Sequence, residues 1–174
     1  ELSGILPDDL VAMPAAVLVG IVEREGIPRV LLTLRTDRLR HHAGQVSFPG
    51  GRMEAGESPL DAAKREAWEE IGLPESLVEP LGYLDPMLTI TGFRVVPVVA
   101  CVDTAFEPQA DPNEVAEVFE VPLVDLLLPS HLERRELHVG GRPRRVFEYV
   151  GPGAEGRRIW GATALILHNL AQRL

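Results

Sequence analysis

Residues 51–73 read GRMEAGESPLDAAKREAWEEIGL, and the rest of the chain is understood from them. The turn Pro49-Gly50-Gly51 leads through a short polar loop into a predicted helix dense in carboxylates: Glu57, Asp61, Glu66, Glu69 and Glu70. At about 100° per residue, Glu66 and Glu70 share one helical face and Glu69 falls at its edge. Three acids are therefore expected to converge on a small volume. Like charges at this spacing destabilise an isolated helix by about 0.2–0.5 kcal/mol per pair, so they need cations, a partner chain or open water. Leu60, Trp68 and Ile71 lie opposite and are predicted to form the packed face. Acids alone suit a solvated surface best; the spacing of the whole stretch shifts that reading.

The order is Gly51, five residues, Glu57, seven residues, Arg65-Glu66, two residues, Glu69-Glu70, then Ile71-Gly72-Leu73. This resembles the signature of the Nudix hydrolases, with Ala67 standing as the smallest member of an aliphatic slot. The resemblance implies that Glu66, Glu69 and Glu70 bind Mg2+ or Mn2+, that the Gly51 carbonyl completes the metal shell, and that Arg65 pairs with Glu57 to hold loop against helix. It also implies an α+β fold, an α/β/α sandwich with a mixed central sheet. The physics is consistent: hard divalent cations take oxygen ligands, a few of them carboxylates. Gly50 and Gly51 permit close approach of the backbone to an ion or phosphate, and Gly72 is placed to end the helix.

Just upstream, residues 31–51 present Arg35, Arg38, Arg40, His41 and His42 in an otherwise acidic protein. Arginine suits bidentate phosphate recognition, while an ordinary solvated loop has the same composition. Leu31-Leu32-Thr33, Arg35, Arg40, Gly44 and Phe48-Pro49-Gly50-Gly51 resemble the extra motif of the coenzyme A pyrophosphatase branch of the same family. Thr36 replaces the more usual Ser or Ala. The resemblance implies contacts from Arg35 and Arg40, with Arg38 as a further candidate, to coenzyme A phosphates; His41 and His42 are read as polar loop residues. The implied reaction cleaves the diphosphate of coenzyme A or its derivatives to 4′-phosphopantetheine and adenosine 3′,5′-bisphosphate. Trp160-Gly161-Ala162-Thr163-Ala164 also resembles that branch.

Metal ions neutralise diphosphate oxygens and acidify a bound water. The general base is open among Glu69, Glu70, Glu114 and Glu117, the last two from a region where the family often places another carboxylate. Two other readings stand beside coenzyme A hydrolysis. One keeps the chemistry but takes a nucleoside triphosphate, ADP-ribose or a dinucleoside polyphosphate; the other is a sensor that binds a nucleotide without cleaving it. The full acid set with its Arg brace argues against the sensor.

The 174 residues suit one domain, 1–174, large enough for a substantial core. A formal net charge of −9 argues against nonspecific binding to nucleic acid or an anionic membrane. Cys101, the single cysteine, is read as a small core residue. A cytoplasmic, reducing compartment is the default, and the start at Glu1 rather than Met leaves a removed leader open. The sequence carries no signal of oligomeric state.

Residues 3–11 read as a capped turn or helix. Strands are predicted at 15–24 and 29–35, joined across 25–28 and buried on both faces. A polar loop at 36–45 precedes a short strand at 46–48. Further strands are expected at 78–85, 87–90, 93–102 and 114–121, with Pro97 at an edge or bulge. A short helix follows to 128, then a hairpin of 131–139 with 142–150 about Gly140-Gly141, and a closing helix from 159 to 174.

Overall fold

The computed structural model describes residues 11–38 and 44–174. The readings made for residues 3–11, for Arg40 and for His41 and His42 fall wholly or largely outside them. Strands β1 (Met13–Arg24) and β2 (Ile27–Arg35) form an antiparallel hairpin. Its turn is only Glu25-Gly26, with φ of 52° and 77°. That left-handed pair matches the twist of the flanking strands, so Ile27 and Pro28 belong to the ladder rather than to the connection.

Around this hairpin lie β3 (Val46–Ser47), β4 (Gly50–Arg52), β5 (Val78–Tyr83), β6 (Met87–Leu88), β7 (Phe93–Val102) and β8 (Val115–Pro122). They build one mixed sheet in which β3, β2, β1, β7 and β5 are successive neighbours, while β4 pairs with β1, β6 with β7 and β8 with β2. The pairing of β1 with β7 is parallel and the others are antiparallel. One face buries Ala16, Leu18, Leu31 and Val98 against helix α1 (Pro59–Ile71). The other buries Val19, Val30 and Leu32 against α2 (Leu123–Leu127) and α3 (Gly161–Ala171). Alternate residues of β1 and β2 thus enter two cores, which explains their nearly continuous apolar runs. The result is the expected α/β/α layering. Among the described residues, no helix is long and apolar enough to cross a membrane.

Four local expectations are corrected. Pro97 lies in β7, an interior strand rather than an edge. Its carbonyl accepts from Leu84 N–H, and on that side the ladder breaks between β5 and β6, so the donor that proline lacks is not missed. Cys101 is exposed, because it points to the face opposite Ala100 and Val102, which are buried in the core beneath α1. The last helix begins at Gly161. Ile159 and Trp160 form a strand, β11, paired with β10 (Arg142–Tyr149), which with β9 (Leu132–Val139) makes a second, three-stranded sheet. Trp68 is 59% exposed, and α1 instead packs through Ala62, Ala63, Ala67 and Ile71.

Those alanines set up the site. Small side chains let α1 lie close on β1 and β4, and the closer the helix, the deeper its next inward position is buried. That position is Glu70, which is 1% exposed.

Candidate active site

Helix α1 is defined at both ends by local chemistry. Ser58 Oγ accepts from Asp61 N–H at 3.1 Å and Asp61 returns a bond to Ser58 N–H, a reciprocal cap. Gly72 closes the helix at φ 68°, its N–H bonded to the Trp68 carbonyl. Before the helix, Arg65 gathers the loop. Its Nε donates to Glu57 Oε1 at 2.6 Å, and its Nη2 donates to Glu57 Oε2 at 3.1 Å and to the Arg52 carbonyl at 3.0 Å. This bidentate bond is the main reason that the Glu57 carboxyl titrates below its ordinary value and the Arg65 guanidinium above its own.

The glycine turn meets the helix at van der Waals limits. A Cβ on Gly50 would lie 2.4 Å from the Ala16 carbonyl oxygen, and one on Gly51 would lie 2.5 Å from Glu66 Oε1. Neither has a left-handed φ; Gly50 is demanded by the nearby backbone, whereas a Cβ on Gly51 would have to push the Glu66 carboxylate aside. The Gly51 backbone and the Glu66 carboxylate consequently share one small space.

Glu70 is the electrostatic centre. Burial pushes its pKa to about 8, the Glu66 and Glu114 charges push the same way, and the Arg35 charge and the Gly50 N–H oppose them. Its Oε2 is buried with no hydrogen-bond partner. Glu66 is likewise raised, chiefly by burial and against the pull of Arg65. Arg35 leaves β2 on the α1 side, two residues beyond Thr33, and its Nε is also buried without a partner. An orphaned carboxylate oxygen, a second acid raised by burial, a glycine backbone against them and an all-oxygen donor set fit a hard divalent cation.

The expected convergence of three acids needs correction. Among the described residues, no three acidic, His or Cys side chains stand together as a ligand set. Arg65 Nη1 donates to Glu66 Oε1 at 3.0 Å and reaches Glu69 at 3.4 Å, so one guanidinium takes up the charge of both. The Glu69 side chain is 52% exposed, whereas Glu70 points inward.

The two further candidate bases, Glu114 in the turn before β8 and Glu117 within it, part company. Glu117 is held by Arg157 through both oxygens, one at 3.1 Å from Nε, and this bond lowers its pKa. Glu114 lies close enough for its charge to raise both Glu66 and Glu70. Its turn is tied to the helix: Asp111 N–H donates to the Glu70 carbonyl at 2.9 Å, and the Asp111 carbonyl accepts from Glu114 N–H at 3.0 Å. Thr36 N–H bonds the Glu114 carbonyl from the opposite side. Asp111 and Thr36 were not singled out for this role in the sequence; the Asp-Pro-Asn turn signal at 111–113 was the available clue. Arg38 sits exposed in the turn after β2, and Arg40 lies outside the described residues.

The NUDIX domain model matches residues 12–139. The chain is 43% identical over 161 residues to the uncharacterized Nudix hydrolase NudL of Yersinia enterocolitica, covering 92% of this chain and 80% of that one. NudL of Yersinia pestis is 40% identical over the same length. Among solved structures, the Nudix hydrolase RenU of M. smegmatis superposes with a TM-score of 0.57 at 24% identity, covering 68% of this chain and 82% of that one. A fold with α1 braced at both ends, a glycine turn against its acids and this extent of likeness defines a Nudix hydrolase. The chain belongs to the Nudix family, whose members generally use divalent cations such as Mg2+ or Mn2+.

Proposed function

We propose that this Nudix hydrolase cleaves the diphosphate of coenzyme A or a derivative, giving 4′-phosphopantetheine and adenosine 3′,5′-bisphosphate. The observation that carries the substrate choice is Arg35, a cation from the motif at residues 31–51 that turns toward the acid helix and acts on Glu70. A guanidinium there can meet a substrate oxygen beside the proposed metal ligands Glu66 and Glu70, with the Gly51 carbonyl next to them. Arg40 and Arg38 complete the proposed substrate set. Glu69 is a lesser ligand, being shared with Arg65 and open to solvent.

In the hydrolysis, water oxygen bonds to one phosphorus and the bridging P–O bond breaks, leaving phosphate on each product. A bound Mg2+ or Mn2+ supplies charge neutralisation at the diphosphate oxygens and acidifies water. The chain's residues do the rest. Arg65 with Glu57 locks the loop to the helix, the Gly50-Gly51 turn lets the backbone approach, and Glu114 accepts the water proton. Glu114 is favoured over Glu117 because a carboxylate with both oxygens given to a guanidinium is a weak base.

A panel of coenzyme A, ADP-ribose, dinucleoside polyphosphates and dNTPs with Mg2+ or Mn2+, analysed for products, tests the assignment. Coenzyme A should turn over fastest, and the Glu70→Gln variant should lose nearly all activity. Faster cleavage of another diphosphate would overturn the substrate, and no metal-dependent cleavage of any would favour the sensor.

A further inference from the structure

Strand β3 has two residues and pairs with β2 on the same side as β1, where the hairpin opens to admit β3 and β4. On either side of Val46 the backbone turns toward β2: Arg35 N–H donates to the Gln45 carbonyl at 2.9 Å, and Thr33 Oγ1 donates to the Ser47 carbonyl at 3.1 Å. Val46 between them points its carbonyl the other way, away from β2, because successive residues of a strand alternate. Thr163 Oγ1, from the first turn of α3, donates to that carbonyl at 3.0 Å. The bond is buried and joins residues 117 positions apart.

We infer that Thr163 is a positioning residue for Arg35, acting through β3; this rests on the reading of Arg35 as a substrate-binding cation. The Thr163 hydroxyl holds Val46, and Val46 carries Gln45, whose carbonyl receives the Arg35 N–H. Gly44 N–H adds a bond to the Arg35 carbonyl at 3.2 Å. On the other side of β2 the register with β8 shifts between Leu34 and Arg35, so the ladder there holds Arg35 less regularly. The glycine turn is secured elsewhere, by the pairing of Ala16 with Gly51 and by Leu18 N–H on the Pro49 carbonyl at 2.8 Å. Loss of the hydroxyl therefore loosens Arg35 and leaves the end of the site formed by Gly51 and Glu66 in place.

The test compares Thr163→Val, which keeps the shape and removes the donor, with Thr163→Ser, which keeps the donor. The substrate is coenzyme A or, if the panel selects another, the diphosphate cleaved fastest. One buried hydrogen bond sets the scale, about a tenfold rise in KM with kcat within about threefold, and Thr163→Ser should restore KM. In an Arg35→Ala background the valine change should have no further effect on KM, which a general structural role would not produce. Independently of activity, Arg35 N–H should exchange faster with deuterated water in the valine variant while amides of residues 50–52 stay unchanged. Unaltered exchange and KM in Thr163→Val, or additive losses in the Arg35→Ala background, would overturn the inference. A protein that cleaves none of the diphosphates would sink the proposed function alone, since exchange at Arg35 still decides whether Thr163 holds it. Should the valine variant not fold, Thr163→Ala against Thr163→Ser gives the same comparison.

Discussion

Replacing Glu70 with glutamine should remove turnover and, in the presence of a chelator, flatten the dependence of stability on pH. The Glu70 carboxyl titrates at about 8 in the folded protein against an ordinary 4.5. Between those values the folded state holds a proton that the unfolded chain has released, so the unfolded state gains and stability falls as pH rises. Over pH 5 to 8, linkage through this one group amounts to about 3 kcal/mol of lost stability. The loss stops once both states are ionised, above the folded value. Glutamine cannot ionise, so the Glu70→Gln variant lacks this slope. Its amide nitrogen also lacks an acceptor where Glu70 Oε2 has no partner, a cost of about 1–3 kcal/mol. That cost is the same at every pH, which makes the slope the quantity to read. Urea unfolding at pH 5, 6, 7 and 8 with EDTA gives it directly for both proteins. Parallel stability curves would refute the buried, charge-crowded account of Glu70.

Three further outcomes follow from the geometry. Gly51→Ala should lower kcat by about 100-fold or more with little change in thermal stability, because a Cβ 2.5 Å from Glu66 Oε1 displaces that carboxylate; steady-state kinetics near wild type would show that Glu66 has room to move. Glu114→Gln should reduce kcat by about 10²–10⁴-fold, whereas Glu117→Gln should leave it within about threefold; the reverse order, read from pH–rate profiles of both variants, would reassign the base. Mg2+ or Mn2+ should raise the melting temperature of the unsubstituted protein, by about 2.7 kcal/mol of stability at a hundred times the Kd, and should have little effect on Glu70→Gln. An equal metal-induced shift in both would remove Glu70 from the ligand set.

The limits of α1 are legible from residues next to each other in the chain, because a Ser58 cap, a Pro59 start and a Gly72 stop act within a turn of themselves. The strands of the hairpin are legible from their nearly continuous apolar runs, whereas the connection read across 25–28 is in fact the two-residue turn Glu25-Gly26. Trp68 shows where such reasoning fails. A helical wheel ranks residues by size and polarity, but the sheet beneath α1 admits alanines and leaves the tryptophan outside. For the same reason the wheel groups Glu66, Glu69 and Glu70, while packing buries one, exposes another and brings Arg65 between the charges of two.

The stretch from Gly51 to Leu73 by itself determined which acids crowd one helix, since helical periodicity is a property of the backbone alone, and its resemblance to the Nudix signature pointed to the family. Only the tertiary structure decided which acid is desolvated, that Arg157 occupies Glu117 while Glu114 stays beside the helix, and that Thr163 reaches Val46 from 117 positions away. Burial and the meeting of distant side chains are set by how layers stack, and no local pattern carries that information.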